Sequence, residues 1–320
     1  MNKEEIIKKK NASGTKEWAD YNVNCINGCF YNCKYCYAKF MAIRFGRKNH
    51  KNWSIMEINE KVVSKNYRLR KGRFMFPTTH DIFPFEPFLS ACLKTLENIL
   101  MNGNEVLITT KPSLLVIKKI CHEFSKYKQQ IQFRFTIGSI NNNLLRFWEP
   151  KAPSYSERKD SLIFTYKNGF KTSISSEPLL DFDPRPLIND LYHYITESFW
   201  LGIMNYIPVK NVHIEEYRFH DNARELKKKE NLMKILQWTK NYNKIRKVTF
   251  ESICFKPFNN HWSAGINQYI LFQIIMHCYL SAHFIETFLT LRTTTNQTYW
   301  CFIRLVGNSI ISTDNNHRTQ

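Results

Sequence analysis

Three cysteines fall within one eight-residue stretch, at positions 29, 33 and 36, in the segment Asn27-Gly28-Cys29-Phe30-Tyr31-Asn32-Cys33-Lys34-Tyr35-Cys36-Tyr37-Ala38. Thiolates are soft ligands that suit zinc and iron–sulfur clusters, and a loop this short can wrap all three around one centre. A structural metal site normally takes four protein ligands, so three cysteines leave one coordination position open to something exchangeable. Zinc is the first alternative, with Cys25 or a histidine as fourth ligand, although the spacing 25, 29, 33, 36 lacks the two separated CxxC knuckles of zinc ribbons. A thioredoxin-like dithiol at Cys33 and Cys36 leaves Cys29 unexplained. Structural core cysteines do not cluster among Gly, Asn and Lys in this way. By contrast Cys92, Cys121, Cys254, Cys278 and Cys301 stand singly in apolar surroundings and read as core, while Cys25 is given no role.

The elements that must position this loop follow a repeating order. Short apolar runs at Tyr21 to Asn24, Arg73 to Phe76, Glu105 to Thr109, Ile131 to Ile137, Lys171 to Ser175, Phe199 to Met204 and Lys247 to Glu251 read as strands. Between them apolar residues recur at helical spacing, as in Phe88, Cys92, Leu96, Ile99 and Leu100, or Leu226, Leu232, Ile235 and Leu236. Alternation of this kind predicts β-α units and a parallel sheet or barrel, with the polar loops after the strands gathered on one face. Those loops hold Thr78-Thr79-His80-Asp81, Thr110-Lys111, Gly138-Ser139, Ser176-Glu177 and Asn205.

The expected fold class is therefore α/β, a partial (β/α)6 TIM-like barrel with a small C-terminal appendage. Residues 1–20 read as an N-terminal extension, 21–255 as the core domain and 256–320 as a C-terminal region that departs from the pattern. Ile266 to Leu291 is strongly apolar but interrupted by Gln268, Gln273, His277, His283 and Glu286, which favours a buried or partner-facing helix over a membrane span. The first residues, MNKEEIIKKKNASGTKEW, lack the apolar stretch of a signal peptide, so a cytoplasmic protein without a membrane is expected. The formal net charge of +19 admits a nucleic-acid partner, because Lys and Arg attract phosphate irrespective of sequence. Lysines scattered over solvated helix faces account for the same charge.

At this point the chain resembles the radical SAM superfamily, in the branch that contains spore photoproduct lyase. The likeness rests on Asn-x-x-x-Gly-Cys-x-x-x-Cys-x-Tyr-Cys-Tyr-Ala from Asn24 to Ala38 and on Phe-Pro-x-x-x-Asp from Phe76 to Asp81. It extends through Ile108 to Pro112, Glu149 to Arg158, Ser173 to Pro178 and Trp200 to Asn205. The resemblance implies a [4Fe–4S] cluster held by Cys29, Cys33 and Cys36, with S-adenosylmethionine (SAM) chelating the fourth iron. It implies reductive cleavage of SAM, a 5′-deoxyadenosyl radical acting on a substrate that could be nucleic acid, and an electron donor such as flavodoxin or ferredoxin.

Site roles follow from the same resemblance. Tyr35 matches the aromatic position that contacts adenine. Where relatives often carry Gly-Gly-Glu, this chain has Thr78 to Asp81, whose Thr78 and Asp81 oxygens are candidates for the methionine ammonium. Lys111 suits a carboxylate; Ser139 and Glu177 suit the ribose hydroxyls or the amino-acid end of SAM; Asn205 suits adenine or ribose. His80 is the candidate proton donor. Each also admits a structural role: packing for Tyr35, solvation for Lys111, loop or turn bracing for Glu177, His80 and Asn205. The competing class is a non-catalytic zinc- or cluster-bearing nucleic-acid-binding module.

Overall fold

The structure is a computed structural model that describes residues 14–208, 212–240, 242 and 245, together with the backbone of 246–249, 287–292, 298–306 and 309–313. The chain divides into two compact units, Met1–Cys254 and Phe255–Gln320. In the first unit the strands are β1 (Tyr21–Asn22), β2 (Ile26–Asn27), β3 (Glu57–Ile58), β4 (Arg73–Phe76), β5 (Glu105–Thr110), β6 (Ile131–Thr136), β7 (Lys171–Ser176), β8 (Phe199–Gly202) and β9 (Ile245–Thr249). The helices are α1 (Tyr37–Arg44), α2 (Glu60–Val63), α3 (Phe88–Leu100), α4 (Leu114–Glu123), α5 (Asn142–Trp148), α6 (Tyr155–Lys167), α7 (Arg185–Leu191), α8 (Tyr217–Glu225) and α9 (Lys229–Thr239).

One sheet of seven strands runs in the order β1-β4-β5-β6-β7-β8-β9, and every pair in it is parallel. Its neighbours are sequential apart from β2 and β3, and no pairing of β9 with β1 closes it among the described residues. This is a partial (β/α) barrel, as the alternation of apolar runs and helical segments predicts. The period of two along each strand sorts the two faces. Phe74, Phe76, Val106, Ile108, Phe133, Phe135, Ile174, Phe199 and Leu201 enter the main core, where Cys92, Leu96, Ile99 and Leu100 of α3 and Ile117 and Ile120 of α4 meet them.

The other face is far more polar. Gln132 donates to Ser173 Oγ at 3.1 Å, and Arg134 donates to the same oxygen from Nε at 3.2 Å. The Arg134 guanidinium rests on the rings of Trp18 and Trp200, 4.4 and 4.9 Å from their centres, and burial pushes its pKa down to about 9. A 3-10 turn at Gly14–Glu17 delivers Trp18 to this face, where Ala19, Met75 and Leu107 complete an apolar patch.

Two sequence expectations need correction. The first strand ends at Asn22 rather than Asn24: the chain leaves the main sheet, and β2 pairs antiparallel with β3 instead. The cause is local, because the Cys25 N–H donates to His80 Nε2 at 3.2 Å and its carbonyl accepts from Asn59 N–H at 2.8 Å, so neither is free for the ladder. In the second unit, the helix expected through Leu291 is replaced at its end by a strand, Thr287–Arg292 (β10). It pairs antiparallel with β11 (Thr298–Val306), which pairs with β12 (Ser309–Thr313). Alternating Thr, Phe and Leu in this stretch suit a pleated surface better than a helix. Residues 266–286 of the apolar run, with Cys254 and Cys278, lie outside the described residues. No helix among the described residues is long and apolar enough to cross a membrane.

Gly28 ties this framework to the cysteine loop. Its φ is +94°, and a Cβ there would lie 2.7 Å from the carbonyl oxygens of both Trp53 and Ile55. The Trp53 carbonyl also receives the N–H of Cys29 at 3.1 Å, so the loop is pressed onto residues 53–55. Gly46 has a φ of +66° but open space around it. Gly28→Ala is therefore expected to cost about 2–4 kcal/mol, from strained φ plus overpacking, against about 1 kcal/mol for Gly46→Ala. Urea unfolding of both variants checks this; equal losses would contradict it.

Candidate metal and cofactor site

The cysteine loop is shaped by three local devices. Asn32 takes a φ of +47°, the left-handed conformation that Asn tolerates best among non-glycine residues, and its N–H closes a turn on the Cys29 carbonyl at 3.3 Å. Lys39 Nζ then reaches back to Asn32 Oδ1 at 2.9 Å. Cys36 is the N-cap of α1, its Sγ accepting the Lys39 N–H at 3.4 Å, so this sulfur sits where a helix start favours negative charge.

Cys29 and Cys33 are buried in one cluster with Tyr31, Ala42, Trp53 and Phe83, and Cys36 packs against it. Burial pushes the Cys29 thiol up to about 12, with Asp81 adding to the shift. Burial likewise lifts Cys33 far above the ordinary thiol range and raises Cys36, although Lys111 opposes both. Three thiolates are thus unfavourable here unless a cation joins them, which a metal does. Among the described residues no three His, Cys, Asp or Glu side chains are already gathered in a metal-gripping shape. The three cysteines nonetheless share one loop and one buried environment. The buried Trp53 Nε1, in the same cluster, has no hydrogen-bond partner and is a donor suited to a thiolate or sulfide sulfur.

Beside the thiols lies a chain of buried charge. Asp81 accepts the Thr110 hydroxyl and Ile82 N–H on Oδ1 and Lys111 N–H on Oδ2, the two amides at 2.9 and 3.0 Å. Burial raises the Asp81 carboxyl, and Lys111 and these donors pull against the rise. For Lys111 burial works to lower the ammonium, but Cys33, Glu149 and Asp81 outweigh it and hold it above the usual lysine value. Its Nζ stands 5.8 Å from the centre of the Tyr35 ring. The Tyr35 hydroxyl donates to Glu149 Oε1, and Glu149 Oε2 receives Arg158 in an ion pair whose side chains are 1% and 0% exposed. Arg158 spends its remaining donors on the carbonyls of Pro153 and Thr136, at 2.8 and 3.0 Å.

Of the sequence candidates, the structure therefore brings together Cys29, Cys33, Cys36, Tyr35, Asp81 and Lys111. The others have partners of their own or lie exposed. Thr78 is bound through both its hydroxyl and its N–H to Asn24, each at 2.7 Å. Ser139 donates to Asp181 Oδ1 at 2.7 Å, and Glu177 accepts from Ser175 at 2.8 Å. Asn205 is exposed beyond β8. His80 has Nδ1 2.8 Å from the Asp81 carbonyl and Nε2 accepting from Cys25 N–H, so both nitrogens are engaged by backbone. Glu149 and Arg158 had no assigned role in the sequence, although both stand in a stretch that carries the family likeness. The signal was two opposite charges flanking the proline-containing connection between α5 and α6.

The Glu149–Arg158 pair sets a pH dependence. Burial alone would raise the Glu149 carboxyl, but Arg158, Lys111 and the Tyr35 hydroxyl outweigh it and bring it below the ordinary 4.5. A carboxylate depressed in this way stabilises the fold above its unfolded pKa, and the contribution disappears as pH falls through the folded value. Wild type should therefore out-melt Glu149→Gln at pH 7 and lose that margin below about pH 4, as followed by thermal unfolding. Arg158→Met alone should cost about 3–5 kcal/mol by leaving a buried carboxylate unpaired, and adding Glu149→Gln should restore part of it. A pH-independent margin would contradict this account.

No family model matches the chain. It is 31% identical over 199 residues to the uncharacterized protein MJ0683 of Methanocaldococcus jannaschii, which is 61% of this chain and 73% of that protein. It is 28% identical over 195 residues to the uncharacterized protein ORF301 of Acidianus two-tailed virus, 57% of this chain and 63% of the viral protein. Among solved structures, spore photoproduct lyase complexed with dinucleoside spore photoproduct is similar with a TM-score of 0.46 at 14% identity, over 72% of this chain and 77% of that one. A mutant of that lyase with bound AdoMet and dinucleoside spore photoproduct gives 0.42 at 16% identity, over 65% and 61%. At the identity and coverage found for the archaeal protein, this chain belongs to the family of MJ0683.

Proposed function

We propose that the chain is a cytoplasmic radical SAM enzyme, with a [4Fe–4S] cluster held by Cys29, Cys33 and Cys36 and SAM bound at the C-terminal edge of the parallel sheet. The observation that carries this reading is a buried loop with three thiols and, among the described residues, no fourth cysteine in the same cluster. Cys25, the nearest candidate, is turned toward Cys92, with the two Sγ atoms 3.7 Å apart. The donor set thus suits a cluster with one open iron better than a closed structural zinc. When bound, the reduced cluster supplies one electron that splits SAM into methionine and a 5′-deoxyadenosyl radical.

The chain's own residues prepare the place. Lys111 offers a buried ammonium for the carboxylate of SAM and offsets thiolate charge at Cys33. Tyr35, fixed by Glu149, offers its ring to the adenine. Asp81 is held by three donors on the wall beside Cys29. Residues 34–51 carry six Lys and Arg and no Asp or Glu, and Arg44 and Arg47 lie within 6 Å of the Phe45 ring. Lys34 and Lys48 are paired with Glu216 and Glu57, which leaves exposed Arg44, Arg47 and Lys51 as the positive surface offered to an acidic electron carrier such as flavodoxin or ferredoxin. The overall +19 charge makes nucleic acid the proposed substrate class.

Anaerobic reconstitution with iron and sulfide, followed by reduction in the presence of SAM, tests the reading. Chromatography should show 5′-deoxyadenosine from wild type and a fall to background for Cys33→Ala. Stoichiometric zinc with no nucleoside product would overturn it.

A further inference from the structure

Outside the charge chain, the described residues contain a second sulfur site. Cys25, at 0% exposure, lies at the foot of the cysteine loop, and Cys92, at 1%, lies on the inner face of α3. Their sulfurs are 3.7 Å apart although 67 residues separate them in sequence. His80 Nε2 is 3.9 Å from Cys25 Sγ. Cys121, in the same core, shows the ordinary case, its thiol pushed up to about 12 by burial.

We propose that Cys25 and Cys92 form an oxidisable dithiol that takes a peroxide as its oxidant and closes to a disulfide between the cysteine-loop foot and α3. A bonded pair of sulfurs stands about 2 Å apart, so closure needs an approach of under about 2 Å, within reach of χ1 rotation. The two partners are chemically unequal, as thiol relays require. The Cys92 S–H holds the Cys25 thiol below its ordinary pKa against the opposing effect of burial, while Cys92 is held well above. Cys25 is then the attacking sulfur. Its thiolate displaces hydroxide from the peroxide O–O bond, giving a sulfenic acid and, after protonation, water. The Cys92 sulfur attacks the Cys25 sulfur, the S–O bond breaks, and the departing hydroxide takes the Cys92 proton as a second water. Two thiols lose two electrons and two protons, and one peroxide becomes two waters.

The bond would tie Cys25, four residues before Cys29, to the helix behind it. The inference uses neither cluster nor SAM, so it stands or falls separately from the proposed activity. Anaerobically purified protein is treated with stoichiometric hydrogen peroxide, alkylated under denaturing conditions and digested, with iron content measured in parallel. The expected result is a Cys25–Cys92 cross-linked peptide pair, lighter by about 2 Da than its two thiol peptides, reversed by dithiothreitol and missing in Cys92→Ala, while Cys121 stays alkylatable. Full alkylation of Cys25 and Cys92 after treatment, or over-oxidation without cross-linking, would overturn the proposal. Because the decisive comparison is treated against untreated wild type, it holds even if Cys92→Ala folds poorly. Loss of iron without the cross-link refutes the dithiol and leaves the metal reading intact; cross-linking in protein that never binds iron does the reverse.

Discussion

A carboxylate and a guanidinium, both closed off from water, join the cysteine loop to the sheet. Glu149 holds the Tyr35 hydroxyl on one oxygen and Arg158 on the other, while Arg158 is anchored to the Thr136 carbonyl at the end of β6 and to Pro153. The backbone adds its own link, Lys34 N–H to the Trp148 carbonyl at 2.9 Å. A buried pair of this kind adds little net stability compared with apolar packing, but losing one partner is costly. Its consequence is therefore geometric: the loop that bears three thiols has one place to sit, between the strand ends and the α5–α6 connection.

That placement determines the electrostatics of the thiols. Burial opposes negative charge on Cys29, Cys33 and Cys36, and Lys111, the Tyr31 backbone and the start of α1 work against it. The three cysteines are therefore held as neutral thiols, and any cation bound among them would have to offset the cost of forming buried thiolates. Asp81, held by the amides of Ile82 and Lys111, acts with Cys33 and Glu149 to keep the buried Lys111 ammonium charged.

Much of the framework was legible in the sequence because period and composition decide it. Buried parallel strands read as apolar runs, and those at 73–76, 105–110, 131–136 and 171–176 occur where the runs predict them. The cysteine triad was legible because its spacing is local. What escaped was long-range pairing. Nothing in the sequence around Cys25 indicates that Cys92 lies against it, or that His80 spends both nitrogens on backbone. Glu149 and Arg158 are only nine residues apart, yet their pairing depends on a loop turning back over Trp148, which no periodicity records. The short β2–β3 ladder was missed for a related reason: backbone groups captured by side chains leave no trace in hydropathy.

Electron–nuclear double resonance on the reduced, reconstituted protein with isotopically labelled SAM tests the central claim most directly, that three cysteines leave one iron for an exchangeable ligand. The account predicts coupling of the SAM amino nitrogen and carboxylate oxygen to the cluster, with a resonance spectrum that changes when SAM is added. A cluster spectrum indifferent to SAM, as four protein ligands would give, would contradict it.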